Sequence, residues 1–383
     1  MIMIPKSPAS SPTILITGAT GLLGGALAAE MLVGEEWPRV LLLVRAEDSS
    51  HAHQRVVRSL ARFVPDPSLL RRILPDQILV GDFTQPAAFI EDERLTTIRR
   101  VVHCAALTSF GVTGRAFTTN VDGTLSFVHH IRQVAAIERF LHVSTAMICG
   151  DSPPNLVRED DYPRSRVDHL VSYTESKSKA ETLLRLTLPG FPLVIVRPSI
   201  IVGHTALGCT PSSSIFWAFR ISDALGMIIC QENSRIDVVP VDYAAKALQT
   251  LLLKPSLKHS SYHISAGEES SCTWEEISEA FGKTAAWSNG SPRTLTGYRT
   301  STVAEIETRK GEFDELFGRC NKNFMMKAIK LYGAFSGLNT VFETSRLRSE
   351  GVPPSPRFSD YLDACQQSSS AYSIADQMMI DFA

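Results

Sequence analysis

Short apolar runs, mostly β-branched, alternate along the first half of the chain with longer stretches whose apolar positions recur every three or four residues. The short runs are TILIT (13–17), VLLLV (40–44), QILV (77–80), RVVHCA (100–105), FLHVS (140–144) and LVIVR (193–197). Such continuous apolar runs read as strands buried on both faces. Between them GLLGGALAAEMLV, HQRVVRSLARFV, GTLSFVHHIRQVAAI and KSKAETLLRLTL carry helical spacing. This alternation predicts an α/β fold, a doubly wound parallel Rossmann sheet with right-handed crossovers.

The rhythm breaks after residue 198. GHTALGCTPSSS reads as a loop, and the apolar stretch after it as a helix. RIDVVPVDYAAKALQTLLL returns as a short strand and a helix, and SSYHISA (260–266) reads as one more strand. Thr273 and Glu276 then stand in capping-box spacing and open another helix. From 302 onward the pattern is mainly helical, and the Ser-rich stretch near 367–374 reads as mobile. A chain of 383 residues exceeds what one core usually holds. The expected organisation is a flexible tail (1–12), a Rossmann domain (13–254) with a substrate-side insertion at about 203–235, and a smaller, mainly helical substrate domain (255–383).

Composition narrows the class. Hydrophobic residues at 44% and charged residues at 20% suit a soluble globular protein, and a net charge of −2 gives no basic surface for nucleic acid. Seven cysteines, at 104, 149, 209, 230, 272, 320 and 365, are scattered and lack the spacing of a metal knuckle or redox pair. They read as reduced thiols of a cytoplasmic protein with no metal site. The N-terminus lacks the apolar core of a secretion signal. The most apolar later stretch, SIFWAFRISDALGMIIC, is interrupted by Arg220 and Asp223, which argues against a membrane span.

Candidate chemistry begins at TILITGATGLLGGAL. A strand runs into Gly18, Gly21 and Gly24 at three-residue spacing and then into a helix. The first glycine permits a tight turn, the second lets backbone approach a pyrophosphate, and the third allows close helix packing. The helix N-terminus attracts the anion. At the end of the second strand Arg45 stands where a free 2′-hydroxyl usually meets an acid, and Arg55 follows in the next helix. Guanidinium suits a 2′-phosphate, so NADPH is expected over NADH; Glu47 and Asp48 follow slightly later. Tyr173 is the one tyrosine with lysine at +4, Lys177, and the pair shares a helical face. An adjacent ammonium is expected to lower the phenol's pKa. FLHVSTA ends a strand with Ser144 and Thr145, at the sheet edge where open α/β folds bind ligands.

Together these residues resemble an extended short-chain dehydrogenase/reductase, with TGATGLLG, GDF, HCAA, NVDGT, VSTA, YTESK and RPS in that family's order over roughly residues 13 to 253. The resemblance implies a catalytic Thr145, Tyr173 and Lys177, Thr145 being preferred to Ser144 for its spacing from Gly150. It implies cofactor contacts at Thr17, Gly18, Thr20, Gly21, Leu22, Leu23 and Gly24, with Asp82 and Phe83 near the adenine. Ala105 and Ala106 would line the cleft, Pro198 and Ser199 would flank the nicotinamide, and Lys177 would hold the ribose. Asn120 falls on a structural asparagine. VVHCAALTSF, HVSTAMICG, YTESKSKAE, VRPSIIVG and VPVDYAAKAL are similar to the thioester-reducing branch, which includes fatty acyl-CoA reductases and carrier-protein thioester reductases. Ser172 and Ser178 depart from the carrier-linked pattern of Gly before the tyrosine and an aromatic after the lysine.

The expected reaction is hydride transfer from NADPH to an acyl thioester, on CoA or an acyl carrier protein, giving an aldehyde or alcohol. The alternative is an extended reductase, dehydrogenase or epimerase acting on a ketone, sterol or nucleotide sugar. Residues 199–236 and 255–383 are expected to form the lid and acyl pocket, and Arg220 or Arg235 could meet a phosphate.

Overall fold

The computed structural model describes residues 13–108, 114–212, 214–289 and 297–382. Its centre is a sheet built from β1 (Ile14–Thr17), β2 (Val40–Val44), β3 (Ile78–Val80), β4 (Arg100–His103), β5 (Arg139–Val143), β6 (Leu193–Pro198) and β7 (Ser261–Ile264). The spatial order is β7-β6-β5-β4-β1-β2-β3, and each neighbouring pair is parallel. The order reverses between β1 and β4, which opens a crevice at their C-terminal ends.

Alternate residues of each strand feed two different cores. Ile14, Ile16, Val40, Leu42 and Val44 pack with Leu27, Met31 and Leu248 on one face. Leu15, Leu41, Leu43, Val101 and Phe140 pack with Phe127, Ile131 and Leu184 on the other. The first face is covered by α1 (Leu22–Val33) and α6 (Val241–Leu253), the second by α3 (Thr124–Val134) and α4 (Ser172–Thr187). The strands show no polar alternation because neither face meets water.

Helix starts follow capping chemistry more than periodicity. α2 (Ser49–Leu60) begins ahead of its apolar repeat because the Asp48 carboxylate accepts the His51 N–H at 2.8 Å. α7 (Trp274–Asn289) opens as its capping box predicts, with Thr273 and Glu276 exchanging side-chain and backbone bonds at 2.9 and 3.2 Å.

β7 lies beyond residue 254 and is the edge strand of the main sheet, paired to β6. The chain after it also returns to the sheet. Val341–Phe342 pairs in parallel with Leu156–Val157, and the helix Ser345–Ser349 packs on β7. Buried Glu159 is the knot: its carboxylate accepts the N–H of His263 at 3.0 Å and of Arg346 at 2.7 Å. The remaining C-terminal residues build a helical layer beside the sheet. α5 (Phe216–Leu225) is shared by two apolar clusters, one with α7 and α9 (Phe358–Ser369), the other with α8 (Lys322–Ser336) and the helix Ile374–Phe382. The Ser-rich stretch read as mobile forms the end of α9 and the turn after it, where Ser368 Oγ donates to Ala364 O at 2.7 Å and accepts from Cys209 N at 2.8 Å.

One ion pair is sealed inside. Arg197 of β6 and Glu181 of α4 are 1% and 0% exposed and meet at 2.8 Å. Arg197 also donates to the carbonyls of Glu159 at 3.2 Å and Tyr162 at 2.5 Å. Removing one partner of such a pair strands the other charge without water. Glu181→Leu is therefore expected to lose about 3–5 kcal/mol of unfolding free energy, whereas pairing it with Arg197→Met recovers much of the loss. Urea denaturation of both variants measures this.

Candidate active site

The crevice at the β1–β4 switch point is formed by two loops in backbone contact. Gly18 has φ +74°, and a Cβ there would stand 2.7 Å from Ala105 N. Only glycine fits that conformation and that distance. A Cβ on Gly24 would lie 2.3 Å from Gly18 O, so the third glycine lets α1 close upon its own preceding turn. No side chain caps α1 at Gly21, which leaves first-turn N–H donors to a ligand. Below, Thr17 Oγ1 accepts from Ala105 N at 3.2 Å and hydrogen-bonds His103 Nδ1 at 2.8 Å. His103 Nε2 meets Thr124 Oγ1 at 3.1 Å, and burial pushes the imidazole down to about 3, so it is neutral.

A cleft of about 1070 Å³ runs from this point, and every residue expected at the site lines it. Thr17, Gly18, Thr20, Gly21, Leu22, Leu23 and Gly24 form one end, with Arg45, Asp82 and Phe83 just past the tips of β2 and β3 and Arg55 on α2. Ala105, Ala106, Pro198 and Ser199 follow, and Thr145, Tyr173 and Lys177 converge beside them. Arg45 is exposed and lies 3.6 Å from Asp82, and Arg55 donates to the Arg45 carbonyl. Glu47 and Asp48 do not line the cleft, and Asp48 is committed to capping α2.

Two of the three candidate catalytic side chains are held by backbone contacts. Thr145 Oγ1 accepts from Met147 N at 3.2 Å, which leaves the hydroxyl proton available to donate. Lys177, 2% exposed, donates from Nζ to Val143 O at 2.7 Å. Burial pulls its ammonium down to about 8 against weaker support from Cys104 and Glu181. Burial also pushes the Tyr173 phenol up to about 12. This corrects the expectation of a lowered phenol: burial sets the direction, and the Lys177 ammonium does not reverse it. Asn120 braces the same helix. Its side chain accepts from Leu107 N at 2.7 Å, donates to Leu107 O at 2.9 Å, and donates to Ser176 Oγ at 3.0 Å. Ser176 Oγ in turn donates to Tyr173 O at 2.7 Å.

Beyond this centre the cleft continues as an arm between α5, residues 227–229 and α8. Trp217, Ile221, Met227, Ile229, Ile329 and Tyr332 belong to its walls. The sequence assigned the pocket to residues 199–236 and 255–383 without singling out α8; the stretch that becomes α5 reads equally well as a tunnel wall and as a core helix. Arg220 and Arg235 lie outside the cleft. Arg220 is held by Gln377 and the Tyr372 carbonyl at 2.5 and 3.0 Å, and Arg235 by the Glu268 and Ser271 carbonyls. Among the described residues, one cation besides Arg45, Arg55 and Lys177 lines the cleft, Arg115, which sequence reasoning missed.

The fold and site define an extended short-chain dehydrogenase/reductase. The chain belongs to the NAD-binding family described as "Male sterility protein", whose model matches residues 16–248. It is 24% identical over 273 residues to a putative fatty acyl-CoA reductase of Drosophila melanogaster, covering 60% of this chain and 50% of the relative. The chain thus spans about half of that relative's length. Among solved structures it resembles the terminal R domain from the myxalamid PKS-NRPS biosynthetic pathway, with TM-score 0.73 and 20% identity over 95% of this chain and 92% of that one. It also resembles the UDP-glucuronic acid 4-epimerase of Bacillus cereus in complex with NAD, with TM-score 0.62 and 18% identity over 94% and 97%. A nicotinamide dinucleotide is the cofactor of this class, and the glycine cradle and uncapped α1 fit it. Among the described residues no three His, Cys, Asp or Glu side chains gather to hold a metal, and no helix is long and apolar enough to cross a membrane.

The lysine's low pKa sets a stability profile. The folded group titrates near 8 and the unfolded one near 10.5. Between these values the unfolded chain binds more protons, so the Lys177 contribution makes stability rise with pH. The gain is on the order of 3 kcal/mol across that window. Lys177→Met is expected to remove that rise relative to the parent protein, read from urea unfolding at a series of pH values.

Proposed function

We propose that this protein is an NADPH-dependent reductase of acyl thioesters, carried on CoA or a carrier protein, producing an aldehyde or alcohol. The observation that carries the reading is one continuous cleft with a polar reactive trio at its centre and an arm that holds no charged side chain. Among the described residues from Ile200 to Ser336, no Asp, Glu, Lys, Arg or His lines it. A nucleotide sugar would find no cation there for its diphosphate.

The bound cofactor would supply hydride to the thioester carbonyl carbon. Thr145 and Tyr173 would donate hydrogen bonds to the oxygen as it gains charge. Tyr173 keeps its proton at neutral pH and would pass it to that oxygen, a stronger base than its own phenolate. Lys177 would steady the phenolate that remains and meet the cofactor ribose. The resulting hemithioacetal would release the thiol and leave the aldehyde, and a second reduction would give the alcohol.

NADPH oxidation assayed on acyl-CoA, acyl-carrier, aldehyde and ketone substrates, with products identified, tests the reading. Turnover of ketones or nucleotide sugars with none of thioesters would discard it. Tyr173→Phe is expected to lower kcat by about 10²–10⁴-fold while NADPH still binds.

Arg45 and Arg55 line the ribose end while Glu47 and Asp48 do not, which supports NADPH over NADH. Replacing both by Ala is expected to raise KM for NADPH by about tenfold or more and leave KM for NADH nearly unchanged, as loss of charge-assisted contacts to a 2′-phosphate requires. Parallel steady-state kinetics with the two cofactors checks it.

A further inference from the structure

The cleft is larger than the roughly 300–1,000 Å³ typical of a single small-molecule site, as a cleft shared by a dinucleotide and a second molecule would be. The arm's shape says what that second molecule can be. Trp217 and Tyr332 stand edge to face at 4.8 Å and form one wall. The helix that carries Tyr332, α8, also approaches residues 227–229 so closely that a Cβ on Gly333 would lie 2.6 Å from Ile229 Cδ1 and 3.2 Å from its Cβ. Both residues line the arm. Glycine is disfavoured within a helix, so a close approach is the reason to keep one here.

We propose that Gly333 and Ile229 together set how long an unbranched apolar acyl group the arm accepts. The proposal rests on the thioester reading for its chemistry, but its test reads binding alone. The nearest atom to a side chain at 333 is the tip of Ile229, and the Ile229 Cβ and Cγ1 at 3.2 and 3.3 Å must give by a few tenths of an ångström. A larger residue there displaces Ile229 into the arm without refolding α8, and the arm shortens. The described residues of the arm carry no charge, so an acyl group that ends in a carboxylate or ammonium would find no counter-ion among them.

S-alkyl pantetheine thioethers, from butyl to hexadecyl, carry the portion common to CoA and carrier proteins and cannot react. Calorimetric titration into the full chain is expected to show affinity rising about fourfold per added methylene up to a limiting length, and then levelling. Gly333→Val should move the limit to a shorter chain with affinity for shorter thioethers kept, and adding Ile229→Ala should move it back. A limit unmoved in a Gly333→Val protein that melts like the parent overturns the proposal, as does parent affinity independent of chain length. If length-limited binding holds while no thioester of any length is reduced, the thioester reading fails and the arm's assignment stands.

Discussion

The buried hydrogen bond from Lys177 Nζ to the Val143 carbonyl is the constraint on which the site is built. An ammonium inside an apolar interior must spend its donors, and the carbonyl at the tip of β5 is the acceptor it finds. That bond sets α4 at one height against β5. Tyr173 lies one turn before the lysine and Thr145 two residues past the carbonyl, so both reactive hydroxyls inherit the register. Two more polar ties act on the same helix. Asn120 holds its first turn through Ser176, and Glu181 holds its later turns against Arg197. Each tie costs desolvation and adds little net stability by itself. What they supply is position.

The sheet was legible in the sequence because its strands are buried on both faces. Such strands write themselves as unbroken apolar runs, and VLLLV is buried at all five positions. The place of β7 was not legible in the same way. Its pairing with β6 joins residues separated by an irregular stretch, and no local pattern encodes a long-range choice of edge. The start of α2 shows a smaller gap of the same origin. Periodicity marks the buried stripe, while Asp48, outside the stripe, decides where the helix begins.

The grouping of the candidate residues was legible for a different reason. The glycine loop and the Tyr173–Lys177 spacing are short-range patterns whose geometry one element fixes. All of the named positions meet in one cleft. The arm is the opposite case. Its walls come from α5, residues 227–229, Ile306 and α8, and each segment alone reads as ordinary core. The direction of the phenol's shift was hidden too. Two side chains four apart predict attraction between them, but the larger effect is the apolar enclosure contributed by the rest of the chain.

That enclosure and the reactive groups are best understood as one device. Apolar walls raise the phenol to about 12, which makes Tyr173 a reluctant acid in the resting protein. The same walls lower the local dielectric, so a hydrogen bond to a developing oxyanion gains more than it would in water. Lys177, near 8, remains mostly charged at neutral pH and becomes valuable when the phenol parts with its proton. On the proposed mechanism, an acid held neutral at rest, in a cleft that also holds a cation, would favour the charge distribution of the transition state over that of the ground state. The uncharged arm serves the same end, since an apolar group filling it would keep water from the trio and preserve the low polarity on which the arrangement depends.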